Sequence, residues 1–221
     1  MRFVDCFQLE INCPLCLNCH SLLRSKHFLC QRCYDILLKN HFQLSAMNLN
    51  SEINHYSFIE WKKNQSDTIS GLVHHLKRSY SEDFWNEMAG LCAELLRPLL
   101  STKLHVVFIP IPGHKTSFHT HYFSTALAKH LRAKCLIDAL GKTNDQEQKL
   151  KNKIDRSSIR FNWNEEFTQK IPSNCMLVLT DDIITTGATL KNTVQIVQKQ
   201  LIESGTHNVK VISVSLFHRT I

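Results

Sequence analysis

The sequence predicts an α/β fold: a parallel sheet flanked by helices and preceded by a small N-terminal metal-binding module. Three observations predict it. Short apolar runs at 105–111, 177–180 and 209–217 alternate with stretches of helical periodicity, which implies right-handed crossovers and parallel strands. Five of the nine cysteines fall between residues 13 and 33. The length of 221 residues, 43% of them hydrophobic, suits one full α/β domain with a small appendage.

Taken in order, the chain opens with Met1-Arg2-Phe3-Val4-Asp5, which lacks the charged-then-apolar pattern of a signal peptide. No apolar run approaches the ~20 residues of a membrane span, so membrane insertion is not expected and a cytoplasmic location is. Cys13, Cys16 and Cys19, then Cys30 and Cys33, form Cys-x-x-Cys knuckles of the kind that hold a structural Zn2+ in four thiolates. So short a segment lacks the apolar mass to fold alone, and a metal would supply its core. Disulfides fit a cytosolic chain poorly. Five cysteines compete for four places. Cys16, Cys19, Cys30 and Cys33 give two identical knuckles with a ten-residue spacer and are preferred over a set using Cys13. His20 and His27 are further candidates. Cys6, Cys92, Cys135 and Cys175 sit in apolar settings and read as core thiols.

Residues 41–55 are weakly patterned and read as a linker between a module at 1–45 and a domain at 56–221. A strand is expected at 56–61 and a helix at 69–77. A longer helix at 83–100 buries Phe84, Met88, Leu91, Leu95 and Leu99 and ends near Pro98. The strand at 105–111 leads into a loop at 112–115, a helix at 123–132 and a short strand at 135–137. A polar, lysine-rich segment occupies 141–166.

The stretch at 177–189 organises the rest. A buried strand ends in Asp181 and Asp182, and the loop Thr185-Thr186-Gly187-Ala188-Thr189 leads into a helix. That helix carries Leu190, Val194, Val197 and Leu201 on one face and stops at Gly205. Ligands of parallel sheets bind beyond the carboxyl ends of strands, where helix N–H groups and the helix dipole favour an anion. Gly187 permits close backbone approach, and the threonine hydroxyls add donors. Paired carboxylates suit vicinal hydroxyls, directly or through Mg2+. The combination calls for a sugar phosphate.

Charge is the remaining signal. The chain carries a net +7, and no acidic residue lies between Glu94 and Asp138, an interval holding Arg97, Lys103, Lys115, Lys129, Arg132, Lys134 and five histidines. Such a field suits a pyrophosphate or a nucleic-acid backbone, and Phe118, Tyr122 and Trp163 are aromatic candidates for stacking single-stranded DNA bases. At helix or strand spacing those aromatics equally fit a core.

The 177–189 pattern resembles the 5-phosphoribosyl-1-pyrophosphate (PRPP) signature of type I phosphoribosyltransferases. The resemblance implies that Asp181 and Asp182 serve as catalytic-site acids on the ribose hydroxyls, and that Thr185, Thr186, Gly187, Ala188 and Thr189 hold the 5′-phosphate. A Cys-x-x-Cys pair ahead of such a signature resembles the ComF family of competence proteins and GntX-type relatives over nearly the whole chain. Lys77 sits after an apolar helix, and Lys115 follows an apolar-Pro-apolar-Pro run at 109–112; both are expected at the pyrophosphate. Gln148, Leu150 and Arg156 match further family positions. The Arg-Gly-Phe-Asn-Gln run common in the family is replaced by Phe118-His119-Thr120-His121-Tyr122-Phe123. The resemblance implies PRPP and Mg2+ binding, a role in DNA uptake and natural transformation, and partners among the competence machinery. Two readings stay open: a transferase of phosphoribose to an unidentified acceptor, in salvage or elsewhere, and a binding module that handles DNA.

Overall fold

The computed structural model describes residues 15–16, 18–22, 29–50, 53–62, 67–76, 82–101, 103–113, 119–142, 161–206 and 208–220. Helix α1 (Gln31–His41) is followed by strands β1 (Phe42–Asn50) and β2 (Ile53–Lys62), then helices α2 (Asp67–Leu76) and α3 (Glu82–Leu96). Strand β3 (His105–Pro110), helix α4 (His119–His130) and strands β4 (Lys134–Cys135), β5 (Leu140–Lys142) and β6 (Phe161–Trp163) come next. Strand β7 (Cys175–Ile184), helix α5 (Ala188–Glu203) and strand β8 (Lys210–Thr220) complete the order.

Among the described residues six strands form one sheet in the order β1-β2-β8-β7-β3-β4, parallel throughout except for the β1–β2 hairpin. The central strand β7 lies between β3 and β8, and residues in register share a face. Val178 lines up with Phe108 and Ile212 on one face, and Leu177 with Val107 and Val211 on the other. The first face packs against Leu37 of α1, Ile69 and Leu72 of α2, Trp85 and Met88 of α3, and Phe123 and Leu127 of α4. The second packs against Leu190, Val194, Val197 and Leu201 of α5, the positions that helical periodicity selects. Each of these buried side chains stabilises the fold by roughly 1.5–3 kcal/mol relative to exposure.

Local chemistry sets the ends of the elements. Pro98 has no N–H to donate, and α3 tightens there into a 3-10 turn, Arg97–Leu99. Helix α5 ends on Gly205 at φ 65°, with Thr206 N donating to Leu201 O and Gly205 N to Ile202 O, a Schellman closure.

Three segments differ from the sequence expectation. The stretch at 41–55 is not a linker: most of it is β1 and the start of β2. Helix α4 begins four residues earlier than expected, because its first turn buries the polar His119 and Thr120, which apolar periodicity does not register. The polar segment at 141–166 contributes a two-stranded ribbon, with Leu140 opposite Trp163 and Lys142 opposite Phe161. Among the described residues no helix is long and apolar enough to cross a membrane.

Candidate functional site

Strand β7 is buried from Cys175 to Thr180 and becomes half-buried at Asp181, Asp182 and Ile183. The acids thus occupy the carboxyl end of the central strand, although the strand runs two residues past them, to Ile184. Each carboxylate is pinned by the backbone that follows it. Asp182 N donates to Asp181 Oδ1 at 2.9 Å, and Ile183 N to Asp182 Oδ1 at 3.0 Å. Burial, reinforced by the adjacent Asp182 carboxylate, pushes the Asp181 carboxyl well above the usual carboxylate range. The two carboxyl groups also interact with each other and form an adjacent set of oxygens. The donor set therefore fits Mg2+, a hard cation that takes one or two carboxylates with substrate oxygens.

Thr185 and Thr186 form an exposed bend, and Gly187 is the N-cap of α5 at φ 72°. That left-handed conformation favours glycine, since a Cβ there meets the following carbonyl. Thr186 Oγ1 accepts from Ala188 N at 3.5 Å, and Ala188 and Thr189 begin the helix. The 185–189 loop is therefore contiguous with the acids and opens the first turn of a sixteen-residue helix.

A second set of residues converges at the amino-terminal end of the chain. Cys16, Cys19, Cys30 and Cys33 present sulfurs all within 4.8 Å of one another. Tetrahedral zinc with arms of ~2.3 Å needs sulfurs about 3.8 Å apart, so the four thiols fit that ion. Cys16 and Cys19 ride on a tight turn in which Cys16 N donates to Ser21 O at 2.8 Å and His20 N to Cys16 O at 2.9 Å. Cys30 caps α1 and Cys33 lies in its first turn. Hydrogen bonds from the Ser21 hydroxyl and backbone lower the Cys19 thiol to about 6. A backbone hydrogen bond at Cys33 lowers Cys30, and burial raises Cys33 to about 12. Cys16, Leu29, Cys33 and Leu37 belong to the same apolar cluster as Phe58 of the sheet. Cys92 and Cys135 are raised by burial, and Cys175 to about 11, as core thiols are.

Among the described residues of the acid-free interval, Arg97, Lys103, Lys129, Arg132 and Lys134 lie at the other end of the sheet from the Asp181–Asp182 pair. Lys129 and Arg132 stand exposed at the carboxyl end of α4, and Lys134 starts β4. Arg97 Nη2 donates to His130 O at 3.3 Å, tying the end of α3 to this rim. Tyr122 packs against the core, and Trp163 packs on the α5 side of the sheet with Nε1 donating to Thr168 Oγ1 at 2.9 Å. A cavity of ≈ 530 Å³ opens at the amino ends of β2 and β8, lined by Asn54, Leu201, Thr206, Asn208 and Lys210, away from the acids.

No family model and no curated protein matches the chain. Among solved structures, the chain is similar to adenine phosphoribosyltransferase from Saccharomyces cerevisiae, with 12% identity over 79% of this chain and 84% of that one, at a TM-score of 0.43. It is similar to the adenine phosphoribosyltransferase of Leishmania tarentolae, with 12% identity over 79% and 94%, at 0.42. A hypoxanthine phosphoribosyltransferase from Staphylococcus aureus shows 14% identity over 67% and 81%, at 0.39.

Lys77, Lys115, Cys6, Cys13, Phe118, His27, Gln148, Leu150 and Arg156 lie outside the described residues. One contributor escaped the sequence reading. Thr120, in the first turn of α4, donates its hydroxyl to Asp182 Oδ1 at 3.4 Å. Four residues on, Ser124 accepts from Thr180 Oγ1 at 2.7 Å. The i,i+4 spacing of two small hydroxyl residues on a helix facing the acid strand is the signal that marks them.

Proposed function

We propose that this chain binds PRPP together with Mg2+ at the carboxyl end of β7. The observation that carries the reading is the juxtaposition of Asp181 and Asp182 with the left-handed Gly187 cap of α5. Asp181 and Asp182 take the ribose 2′ and 3′ hydroxyls, and the N–H groups of 185–189 take the 5′-phosphate. Lys77 and Lys115 are assigned to the pyrophosphate. Bound Mg2+ supplies charge neutralisation for the pyrophosphate. The four cysteines hold a structural Zn2+ in a module at 1–45 that precedes the α/β domain at 56–221, and β1 carries the sheet across that boundary. The cellular role in this reading is that of a ComF-like cytoplasmic protein in DNA uptake and natural transformation, working with competence-machinery partners.

Calorimetry with PRPP and Mg2+ tests the site. Wild type should bind, Asp182→Asn should bind at least tenfold more weakly while remaining folded, and ribose 5-phosphate should compete. No heat and no shift in Tm at millimolar PRPP with Mg2+ would end the reading, because a ligand selective for the native state must stabilise it. Release of pyrophosphate in the presence of a nucleobase or other acceptor would favour the transferase alternative over a binding module.

The exposed rim of Lys129, Arg132 and Lys134 favours a second ligand, single-stranded DNA, on a surface separate from the acids. The Tyr122 and Trp163 rings are engaged in packing, so the contact is with phosphates and should lack sequence preference. Each neutralised phosphate should contribute about −0.7 to the log–log salt slope, and changing the three basic residues to alanine should flatten it.

A further inference from the structure

Asn18 stands in the turn between Cys16 and Cys19, and both ends of its side chain are engaged. Its Nδ2 donates to Cys33 Sγ at 3.4 Å. Its Oδ1 rests on Gly71 of α2, 3.0 Å from where a Cβ would stand on that residue. Among the described residues no other atom outside α2 comes within 4 Å of that point. Gly71 lies in the middle of the ten-residue helix, where glycine is a weaker helix former than alanine. Its backbone is not in the left-handed region that favours glycine. The residue is also exposed, so core packing does not demand its small size. The Asn18 contact is the feature that uses the missing side chain. A sulfur accepts, so the amide nitrogen faces Cys33 and the oxygen faces α2. Ser21, whose hydroxyl lies 3.1 Å from Cys19 Sγ, belongs to the same turn as the sulfur it serves, whereas Asn18 reaches beyond the module. Beneath this contact, Ile69, Leu72 and Val73 of α2 share one apolar cluster with Cys16, Leu29 and Cys33.

We infer that Asn18 is a positioning residue that fixes Cys33 at the metal site from a seat on α2, so that the tetrad's hold on its metal depends on a helix of the α/β domain. The inference rests on the structural Zn2+ reading. Cys33 is only 4% exposed, and a thiolate held there needs a donor to stand in for water. The Asn18 N–H supplies one, as the outer partners of metal ligands generally do. A side chain at residue 71 would take the place of Asn18 Oδ1 and turn the amide, and with it the N–H, away from the sulfur. The glycine weakens α2 locally and leaves room for the amide that orients Cys33.

Release of zinc from the loaded full chain to the chromogenic chelator pyridylazoresorcinol tests the inference. The near-ultraviolet thiolate-to-metal band of the cobalt-substituted chain is a second readout, one that a purely structural role would not move. Asn18→Ala should release zinc about tenfold faster than wild type. It should also shift the cobalt band to longer wavelength, because a sulfur without its N–H partner gives up electron density more readily. Gly71→Ala should do both in lesser measure, although alanine strengthens the helix itself. The double variant should match Asn18→Ala, since residue 71 acts through the amide alone. Wild-type release and an unmoved band in either single variant, or effects that add in the double variant, would overturn the inference while leaving the metal in place. Slower release from Gly71→Ala would overturn it as well, being the mark of helix propensity alone. Wild type that takes up neither zinc nor cobalt would overturn it together with the metal reading.

Discussion

Thr120 Oγ1 donates to Asp182 Oδ1 at 3.4 Å, a contact between residues 62 apart that joins the first turn of α4 to the end of β7. The bond is long, but Thr120 is only 1% exposed, so no water competes freely for the carboxylate on that side. Thr120→Val preserves the shape and removes the donor. We predict a loss of about 1 kcal/mol in urea unfolding, the usual net value of one such hydrogen bond. PRPP affinity measured with Mg2+ should fall several-fold, because Asp182 loses its fixed orientation. Unchanged affinity would place Thr120 outside the machinery of the site.

At Gly187 the backbone itself makes the demand. A β-branched side chain at φ 72° is strained, and Gly187→Val should cost on the order of 1–3 kcal/mol in stability. Gly187→Asn tolerates the left-handed region better and should cost less. Both should weaken ribose 5-phosphate binding, with valine the worse, since its bulk crowds the amides that face the anion. Equal stability for the two variants would show that the loop relaxes out of its left-handed turn.

What the sequence made legible and what it hid divide along physical lines. Leu190, Val194, Val197 and Leu201 were readable because α5 is long and buries one stripe. The Cys16, Cys19, Cys30 and Cys33 grouping was readable because two short knuckles leave few ways to converge. Strand β1 was not, since register shifts break its two-residue alternation and its exposed positions are amides and alanine. Thr120, Ser124 and His55 were hidden for a shared reason. They are polar and buried, and the partners that make burial tolerable come from distant parts of the chain.

His55 gives the acid limb of the stability profile. Its Nδ1 lies 3.0 Å from Ser213 Oγ and its Nε2 3.1 Å from Ser215 Oγ, so a neutral ring donates to one hydroxyl and accepts from the other. Burial, with His218 adding to it, lowers its pKa to about 3. The unfolded chain binds a proton near pH 6.5 and the folded one does not, so this contribution is complete above pH 6.5 and is lost as the pH falls toward 3. The slope from this one group approaches about 1.4 kcal/mol per pH unit. His55→Gln should lower stability at neutral pH and remove that slope. An unchanged profile would mean that His55 titrates alike in the folded and unfolded chain.

The cysteine tetrad predicts about one tightly held zinc per chain, since four thiolates close a structural site. Cys30→Ser should lose the metal and lower Tm, whereas Cys13→Ser should lose far less. Equal metal loss from both would reassign the ligands. Metal-free wild type that folds normally by circular dichroism would remove zinc from the protein.

Asp181 supplies the opposing limb. Burial and the neighbouring Asp182 carboxylate raise its pKa in the folded chain, so between the unfolded carboxyl value of about 3.9 and the folded value the native state binds more protons. Stability from this group is therefore highest below pH 3.9 and declines as the pH rises through the folded pKa. Asp181→Asn abolishes that decline and should raise Tm at neutral pH by a few degrees, while PRPP binding with Mg2+ falls at least tenfold. A cation or ribose hydroxyl favours the ionised carboxylate, so ligand binding should release protons from wild type and fewer from the variant. Calorimetry in buffers of different ionisation enthalpy reads that release directly. Wild type that binds PRPP and Mg2+ without releasing protons would show that Asp181 is already ionised in the free protein, and the stabilisation expected of Asp181→Asn would vanish with it.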